Sequence, residues 1–555
     1  MKVLILAAAL VPYAAFAATN TVTTLVDEDD GSLGGGAGIS LREAVKYSAA
    51  GDVVTFAANL SGQTIRLTLG EITIGNSLWI DGSALTEKIT LSGDKTGNGK
   101  TADDTRILTI TAGSVLLKSL ILTGGYCPAS SLVNQGAAIY VNNAGSNLTV
   151  LNSTFSGNSA TAGAAIYFYG QPYGPNSVLI IRNSVFTGNS VTGRAGSILS
   201  YARLSIYEST FTGNTAQQGG AIYSEGGICE VWSSRFTGNS ATSGGGAISN
   251  SILLSVVGTT FSGNSAPYGG GIECTFSGPL ILENSTLTGN SAREAGGGVF
   301  VSGSTTTIRH STLTGNSALS GGGGIWRKTS GSTPVGSISI NNSILTGNTA
   351  PDTPNVNLAG IFDGSNNLTA GNSLLAPLGD YGGLTQTMPP MPGSPAINAG
   401  LTATTLTTDQ RGFSRVGVAD IGAAEYQGNA DLARFWKLDM DGDGAAYGVE
   451  QALGTDPFVA DPTNVRRLTT PGFDAAGHAV LSFGIAPAVP GTRWRLTRSF
   501  DLSAGSFVEI YRTDGVADSS ISGVTFVRTA TRVTVTDGNP LAGRAFYRFE
   551  AVLEP

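Results

Sequence analysis

The feature that most constrains this chain is a phrase repeated eight times between Asn152 and Asn348. It reads Asn-Ser-Thr-Phe-Thr-Gly-Asn-Ser, then a short spacer, then Gly-Gly-Ala-Ile. Its second Asn falls at 158, 189, 214, 239, 264, 290, 316 and 348, at intervals of 31, 25, 25, 25, 26, 26 and 32 residues. A period of this size marks a stacked architecture in which one unit alone is too small to bury its apolar face. Each unit holds two short alternating apolar runs broken by Gly and Asn, the pattern of strands and turns and not of helices. Aligned unit on unit, Phe155 recurs as Phe186, Phe211, Phe236, Phe261, Leu287, Leu313 and Leu345. Ile166 recurs as Ile198, Ile222, Ile248, Ile272, Val299 and Ile325. With one unit per coil, these become two continuous apolar ladders, and eight coils about 4.8 Å apart span about 40 Å. The expected fold is all-β, a right-handed parallel β-helix with three strands per coil.

The polar positions fit the same coil. Asn tolerates the left-handed backbone region, and its amide can bond an Asn in the next coil. The eight phrase-ending Asn residues would form one such ladder, and Asn152, Asn183, Asn284 and Asn342 a less regular one. Glycine turns tight corners without a Cβ penalty, which accounts for 78 Gly in 555 residues. With those residues aligned, Phe211 to Asn214 followed by Gly219 to Ile222 resembles the repeat of the polymorphic outer-membrane protein family. Those are β-helical bacterial surface proteins, several of them adhesins. The resemblance implies a surface-displayed solenoid of the pectin-lyase-like type. That family's C-terminal translocating barrel is not apparent in this sequence, so its export route does not come with the resemblance.

The flanks add four further segments. Residues 1–17 combine Lys2, an apolar run from Val3 to Leu10 and the small-residue site Ala15-Phe16-Ala17, so they read as a secretory signal with the mature chain starting at Ala18. No later run is long and apolar enough to cross a membrane. Residues 18–375 carry the β-helix. Near its start, Ser40-Leu41-Arg42-Glu43 forms a capping box, and Leu41, Ala44 and Val45 make one apolar helical face. A short helix there would cover the unpaired strand edges of the first coil. Asp27 to Gly31 followed by Ile39 to Ala44 resembles the "CSLREA" segment of secreted bacterial β-helix proteins, with Ile39 where that family has Cys. Over 376–428, Asp409-Gln410-Arg411-Gly412-Phe413 and Asp420-Ile421-Gly422-Ala423-Ala424-Glu425-Tyr426 resemble the choice-of-anchor Q segment, which implies surface display through a sorting module.

Ion chemistry concentrates at 429–464. Asp439, Asp441, Asp443, Gly444 and Glu450 satisfy the D-x-D-x-D-G-x5-E calcium pattern. Three alternating aspartates converge on one point and Gly444 permits the sharp turn. Ala445 offers a carbonyl, Tyr447 a carbonyl or a bridging water, and Glu450 a bidentate carboxylate. Without Ca2+ these carboxylates would repel. The adjoining Gly454-Thr455-Asp456-Pro457 and Asp461 resemble thrombospondin type-3-like calcium repeats. Calcium is therefore expected to stiffen a junction before residues 465–555. There the alternating runs Ala479–Phe483, Arg493–Thr497, Phe507–Tyr511 and Arg532–Thr536 predict a small β-sandwich.

Several function classes lose support. Charged residues are 13% of the chain and the net charge is −8, so nucleic acid, which wants a basic face, is disfavoured as a partner. Gly99-Lys100-Thr101 lacks the first glycine of a phosphate loop, because Asp94 stands there. Cys127, Cys229 and Cys274 sit at different offsets and read as isolated buried thiols. His310 occupies a ladder Asn position and reads as structural; the other histidine, His478, lies in a different module. A polysaccharide lyase or hydrolase is the rival reading, and that chemistry wants clustered carboxylates. Between Asp104 and Asp352 there is no Asp, and the acids Glu208, Glu225, Glu230, Glu273, Glu283 and Glu294 scatter within the repeat. Glu225 and Glu273 are the one pair expected to approach, two coils apart.

One rank beside the inner Ile ladder should face outward: Tyr140, Tyr167, Leu199, Tyr223, Ser249, Glu273, Phe300 and Trp326. It either contacts a sugar or protein partner or stabilises neighbouring coils by stacking. The functional expectation is an exported cell-surface or secreted scaffold, structural or adhesive, meeting a surface glycan or protein. The alternative is a carbohydrate-active enzyme on the same fold. For the calcium loop, calorimetry of the full chain should show a C-terminal transition that rises between chelator and millimolar calcium, the range typical of extracellular modules at roughly 0.1 to 1 mM. Asp441→Asn should abolish that shift, and an unshifted wild-type transition would refute the site.

Overall fold

The computed structural model describes residues 18–438 and 472–553, apart from 129–132, 171–176, 276–277, 304, 331–332, 335–336, 357–361, 402–405, 436–437, 475–477, 485–491, 500–507, 514–517, 529–531 and 539–545. Residues 1–17 and the expected calcium ligands Asp439, Asp441, Asp443, Ala445, Tyr447 and Glu450 lie outside the described residues. The chain forms two compact units, one ending at Glu425 and the other beginning at Tyr426.

The first unit is a right-handed parallel β-helix. One coil runs through Arg203–Tyr207, Thr210–Thr212 and Ile222–Ser224, which belong to sheets of 13, 10 and 11 strands. These are the first, second and third sheets below. Between the second and third, seven coils insert a short extra strand, Thr215–Gln218 in this coil, and these build a fourth sheet. The three-strand coil expected from the repeat is thus a four-strand coil over this stretch. The extra strand offers the core only small residues, such as Ala216, Ala241 and Ala266, and so carries no apolar alternation to betray it.

Both apolar ladders form in the expected register. Phe155, Phe186, Phe211, Phe236 and Phe261 align strand by strand, continue into Leu287 and Leu313, and are wholly buried. The five rings stack at 4.7–4.8 Å with interplanar angles of 3–6°, the separation set by the backbone rise from coil to coil. The Ile166-to-Ile325 ladder lines the third sheet with no exposure.

Hydrogen bonds hold the corners. Asn214 Nδ2 donates to Asn239 Oδ1 at 2.8 Å and to the Phe186 carbonyl at 3.0 Å, while its backbone N–H donates to the same Oδ1 at 3.0 Å. This set repeats along the rank from Asn158 to Asn316. The left-handed turn at this corner is not taken by these Asn residues, as the sequence suggested, but by the glycine before each, with φ of 62° at Gly213. The second, irregular rank does take it: Asn152, Asn183, Asn284 and Asn342 have φ of 46–51°, with Glu208, Ser233 and His310 in line at 52°, 46° and 45°.

The amino-terminal cap is a six-residue helix, Leu41–Lys46, closed by the Ser40–Glu43 capping box. Leu41, Ala44 and Val45 join the solenoid core, and Arg42 is tied to Asp27 at 2.8 and 2.9 Å. Cys127, Cys229 and Cys274 are free and buried, as expected.

After the last coils, the chain folds back over the second sheet and its corner with the first. Gln410 Nε2 donates to Thr260 Oγ1 at 3.0 Å, its Oε1 accepts from Thr286 Oγ1 at 2.6 Å, and the Ala423 N–H donates to Thr312 Oγ1 at 3.1 Å. Arg415 donates to Asn284 Oδ1 at 3.0 Å and pairs with Glu425 at 3.2 Å. Asp409 accepts from the backbone N–H groups of Arg411, Phe413 and Glu425 while pairing with the Arg411 guanidinium. The acidic and basic residues of the 409–425 motif are therefore partners to one another inside a buried strap. His310 is enclosed beneath it, 2.9 Å from the Asn342 amide, and burial beside Arg415 pushes its pKa down to about 3.

In the second unit, helix Asn429–Phe435 precedes two antiparallel four-stranded sheets. Leu481, Val533 and Val535 of one sheet share a core with Leu496, Ile510 and Tyr511 of the other, which is the expected sandwich arrangement.

The stacked ring ladder yields a stability test. Phe211→Ala should destabilise the solenoid by about 3–5 kcal/mol, the cost of emptying a closed aromatic site. A near-neutral result in denaturant unfolding would refute the register.

Candidate functional site

The rank beside the inner Ile ladder organises the outer face of the third sheet. Thr109, Tyr140, Tyr167, Leu199 and Tyr223 follow one another in register, and Ser249, Glu273, Phe300 and Trp326 continue the line. The sequence placed this rank on the surface. It does point away from the core, yet Tyr167, Leu199, Tyr223, Ser249, Glu273 and Phe300 are buried. The fourth-sheet arm roofs them so closely that a Cβ at Gly244 would collide with the Glu273 carboxylate, and one at Gly321 with the Trp326 ring. Most of the rank therefore stabilises neighbouring coils.

Where the roof gives way, a tyrosine cluster reaches solvent. Tyr169 is 46% exposed, and Tyr140 and Tyr201 are half-buried. Ring centroids lie 5.5 Å apart for Tyr140–Tyr167, 5.9 Å for Tyr167–Tyr201 and 6.1 Å for Tyr169–Tyr201, all tilted or edge-on. Such arrangements leave ring faces turned in different directions. Burial raises the pKa of Tyr167, with further contributions from Tyr201, and that of Tyr223 is pushed up to about 12 by burial and by Glu225. Both hydroxyls therefore stay protonated at neutral pH.

Two guanidinium groups frame the cluster. Arg194 lies 4.8 Å from the Tyr223 ring centroid and pairs with Glu225 at 3.0 Å. Arg106 lies 4.9 Å from the Tyr140 centroid and pairs with Glu71 at 2.5 Å, while its remaining donors meet the carbonyls of Val133, Gln135 and Gly136. The Tyr140 hydroxyl donates to the exposed Asn142 side chain at 3.2 Å.

Four of the six carboxylates of the rival catalytic reading are engaged. Glu225 belongs to Arg194. Glu273 accepts from Ser249 Oγ at 2.8 Å and Gln218 Nε2 at 3.2 Å, and burial raises its pKa against the pull of those two bonds. Glu230 and Glu283 pair with Arg203 and Arg309. Tyr140, Tyr167 and Tyr223 were legible as one rank; Tyr169, Tyr201, Arg194 and Arg106 were not. The available signal was the long 31-residue interval between Asn158 and Asn189, which marks the enlarged coil that carries Tyr169.

Residues 137–318 match the model of the right-handed β-helix region family, a stretch that includes most of the cluster. No curated protein matches the chain. Among solved structures, the crystal structure of pectate lyase Pel9A resembles it with 13% identity and a TM-score of 0.39, over 74% of this chain and 96% of that one.

Glu273 gives a pH-dependent prediction. Its raised pKa means that the folded state holds the proton more tightly than the unfolded state, so this group costs stability as pH rises above the ordinary carboxyl range. Glu273→Gln should therefore raise the melting temperature at pH 7.5 relative to wild type, and the gain should shrink toward pH 4. A gain independent of pH would show that desolvation of the carboxylate is not its source.

Proposed function

We propose that this chain is an exported β-helical scaffold with a structural and adhesive role, and that the tyrosine cluster is where it meets a surface glycan. The carrying observation is the cluster of Tyr140, Tyr167, Tyr169 and Tyr201, with Tyr223 nearby against the Arg194–Glu225 pair. Sugars present a C–H face to an aromatic ring and hydroxyls to flanking polar groups, and this patch offers both kinds of contact. The repeat itself supports the scaffold half of the reading, because its slots hold residues that suit stacking. The leader at 1–17 supports export, and calcium at Asp439–Glu450 would stiffen the junction that follows the solenoid.

A second reading, a carbohydrate-active enzyme, draws on one observation: Glu273 is a carboxyl with a raised pKa, close enough to influence Tyr223. One experiment addresses both readings. Beads coated with the full chain are tested on glycan and matrix-protein arrays, and the same polysaccharides are assayed for released reducing or unsaturated ends. Adhesion to glycans without turnover, lost in the Tyr169→Ala/Tyr201→Ala variant, is the expected result. Adhesion to proteins alone would remove the glycan reading, and turnover that Glu273→Gln abolishes would replace the scaffold with an enzyme.

A further inference from the structure

The charge pattern of the tyrosine cluster narrows its ligand. Two cations border it, and each is closed by a carboxylate: Arg194 by Glu225 and Arg106 by Glu71. Arg106 is buried and its other nitrogens are committed to backbone carbonyls. Arg194 lies against the Tyr223 ring as well as against Glu225. A uronate or sulfate approaching the exposed edge of Arg194 would lie beside the Glu225 carboxylate, whose charge offsets the attraction of the guanidinium. The Arg194 and Glu225 side chains are 46% and 38% exposed, so the pair presents no net charge to a polyanion and offers it little gain. A neutral sugar meets no such repulsion. Hydroxyls along a neutral chain can donate to Glu225, accept from the exposed edge of Arg194 and bond the Asn142 amide, while one C–H face covers Tyr169, whose ring stands at 61° to that of Tyr201.

Resting on the glycan reading above, we infer that the cluster selects neutral hexose polymers with a continuous C–H ring face, such as glucans or galactans, and rejects polyuronates and sulfated glycans. The two ion pairs make that selection. They hold hydrogen-bonding groups in place while presenting no unpaired positive charge, so recognition is carried by ring contact and neutral hydrogen bonds. Binding of this kind is largely insensitive to salt, unlike attraction between a free cation and a polyanion.

The test is affinity electrophoresis of the full-length protein in gels containing a neutral glucan, a neutral galactan, polygalacturonate or a sulfated galactan, at low and high salt. Retardation by a neutral polymer at both salt concentrations, and by neither acidic one, is the expected result. Tyr169→Ala should weaken it by about tenfold or more, the equivalent of about 1.4 kcal/mol. Because Tyr169 is exposed, an unchanged melting temperature will show that this variant folds. Glu225→Gln, which frees Arg194, should confer a salt-sensitive affinity for polygalacturonate that the wild type lacks. Wild-type retardation by the acidic polymers alone would overturn the inference and leave glycan binding standing. Retardation by none of the four would remove the glycan reading itself.

Discussion

The rest of the solenoid depends on the buried asparagine rank. A corner between two strands leaves backbone N–H groups that the strand ladders do not reach, and in a dry interior such groups must be satisfied. Each Asn meets this need in the neighbouring coil. Its Oδ1 accepts from both the backbone N–H and the Nδ2 of the Asn in the preceding coil, and its own Nδ2 donates onward to the next Asn and back to a Phe or Leu carbonyl. Aspartate lacks the donor, and glutamine is one carbon too long for the same geometry. A neutral amide at each corner also lets eight like residues stack without repulsion. With the corners locked at one rise per coil, the Phe rings have no freedom but to stack at that spacing.

That constraint explains where charge is found. A position repeated in every coil places like side chains against one another, so an ionisable residue in the repeat would meet its own copies. The charges of the central coils are accordingly irregular, and several are paired across neighbouring coils, as in Arg194–Glu225 and Arg203–Glu230. Binding chemistry can enter such a solenoid only where a coil departs from the phrase. The tyrosine cluster does so, at the enlarged coil after Asn158 and at the turn carrying Tyr201.

The legible part of the fold was the part with a strong period. Phe155 to Leu345 and Ile166 to Ile325 announced themselves because burial demands large apolar residues at a fixed offset, and the Ser40–Glu43 box because a cap needs those residue types at that spacing. The fourth sheet was hidden, since a strand that packs through Ala216 and its equivalents has no alternation to display. Its consequence was hidden with it. Alternation correctly turned Tyr167 and Tyr223 away from the core, but it carried no information about the glycine-rich arm that roofs them. Tyr169 and Tyr201 fall outside the phrase, so they were visible only as residues in irregular spacers.

The strap over the second sheet shows why a run of charged residues can be structural. Asp409, Arg411, Arg415 and Glu425 are all buried or nearly so, and a buried charge is tolerated only when its lone pairs and protons are met. Here they meet one another, the backbone and the left-handed corner at Asn284, with Arg415 Nε left without a hydrogen-bond partner among the described residues. The outer hydroxyls of Thr260, Thr286 and Thr312 become attachment points for the strap instead of open surface. The strap thereby closes the second sheet's outer face over those coils, and the open tyrosines stand on the third sheet, in coils that the strap's contacts do not reach. Two departures from the repeat thus divide the solenoid's outer surface, one fastening its last coils and the other presenting aromatic rings to solvent.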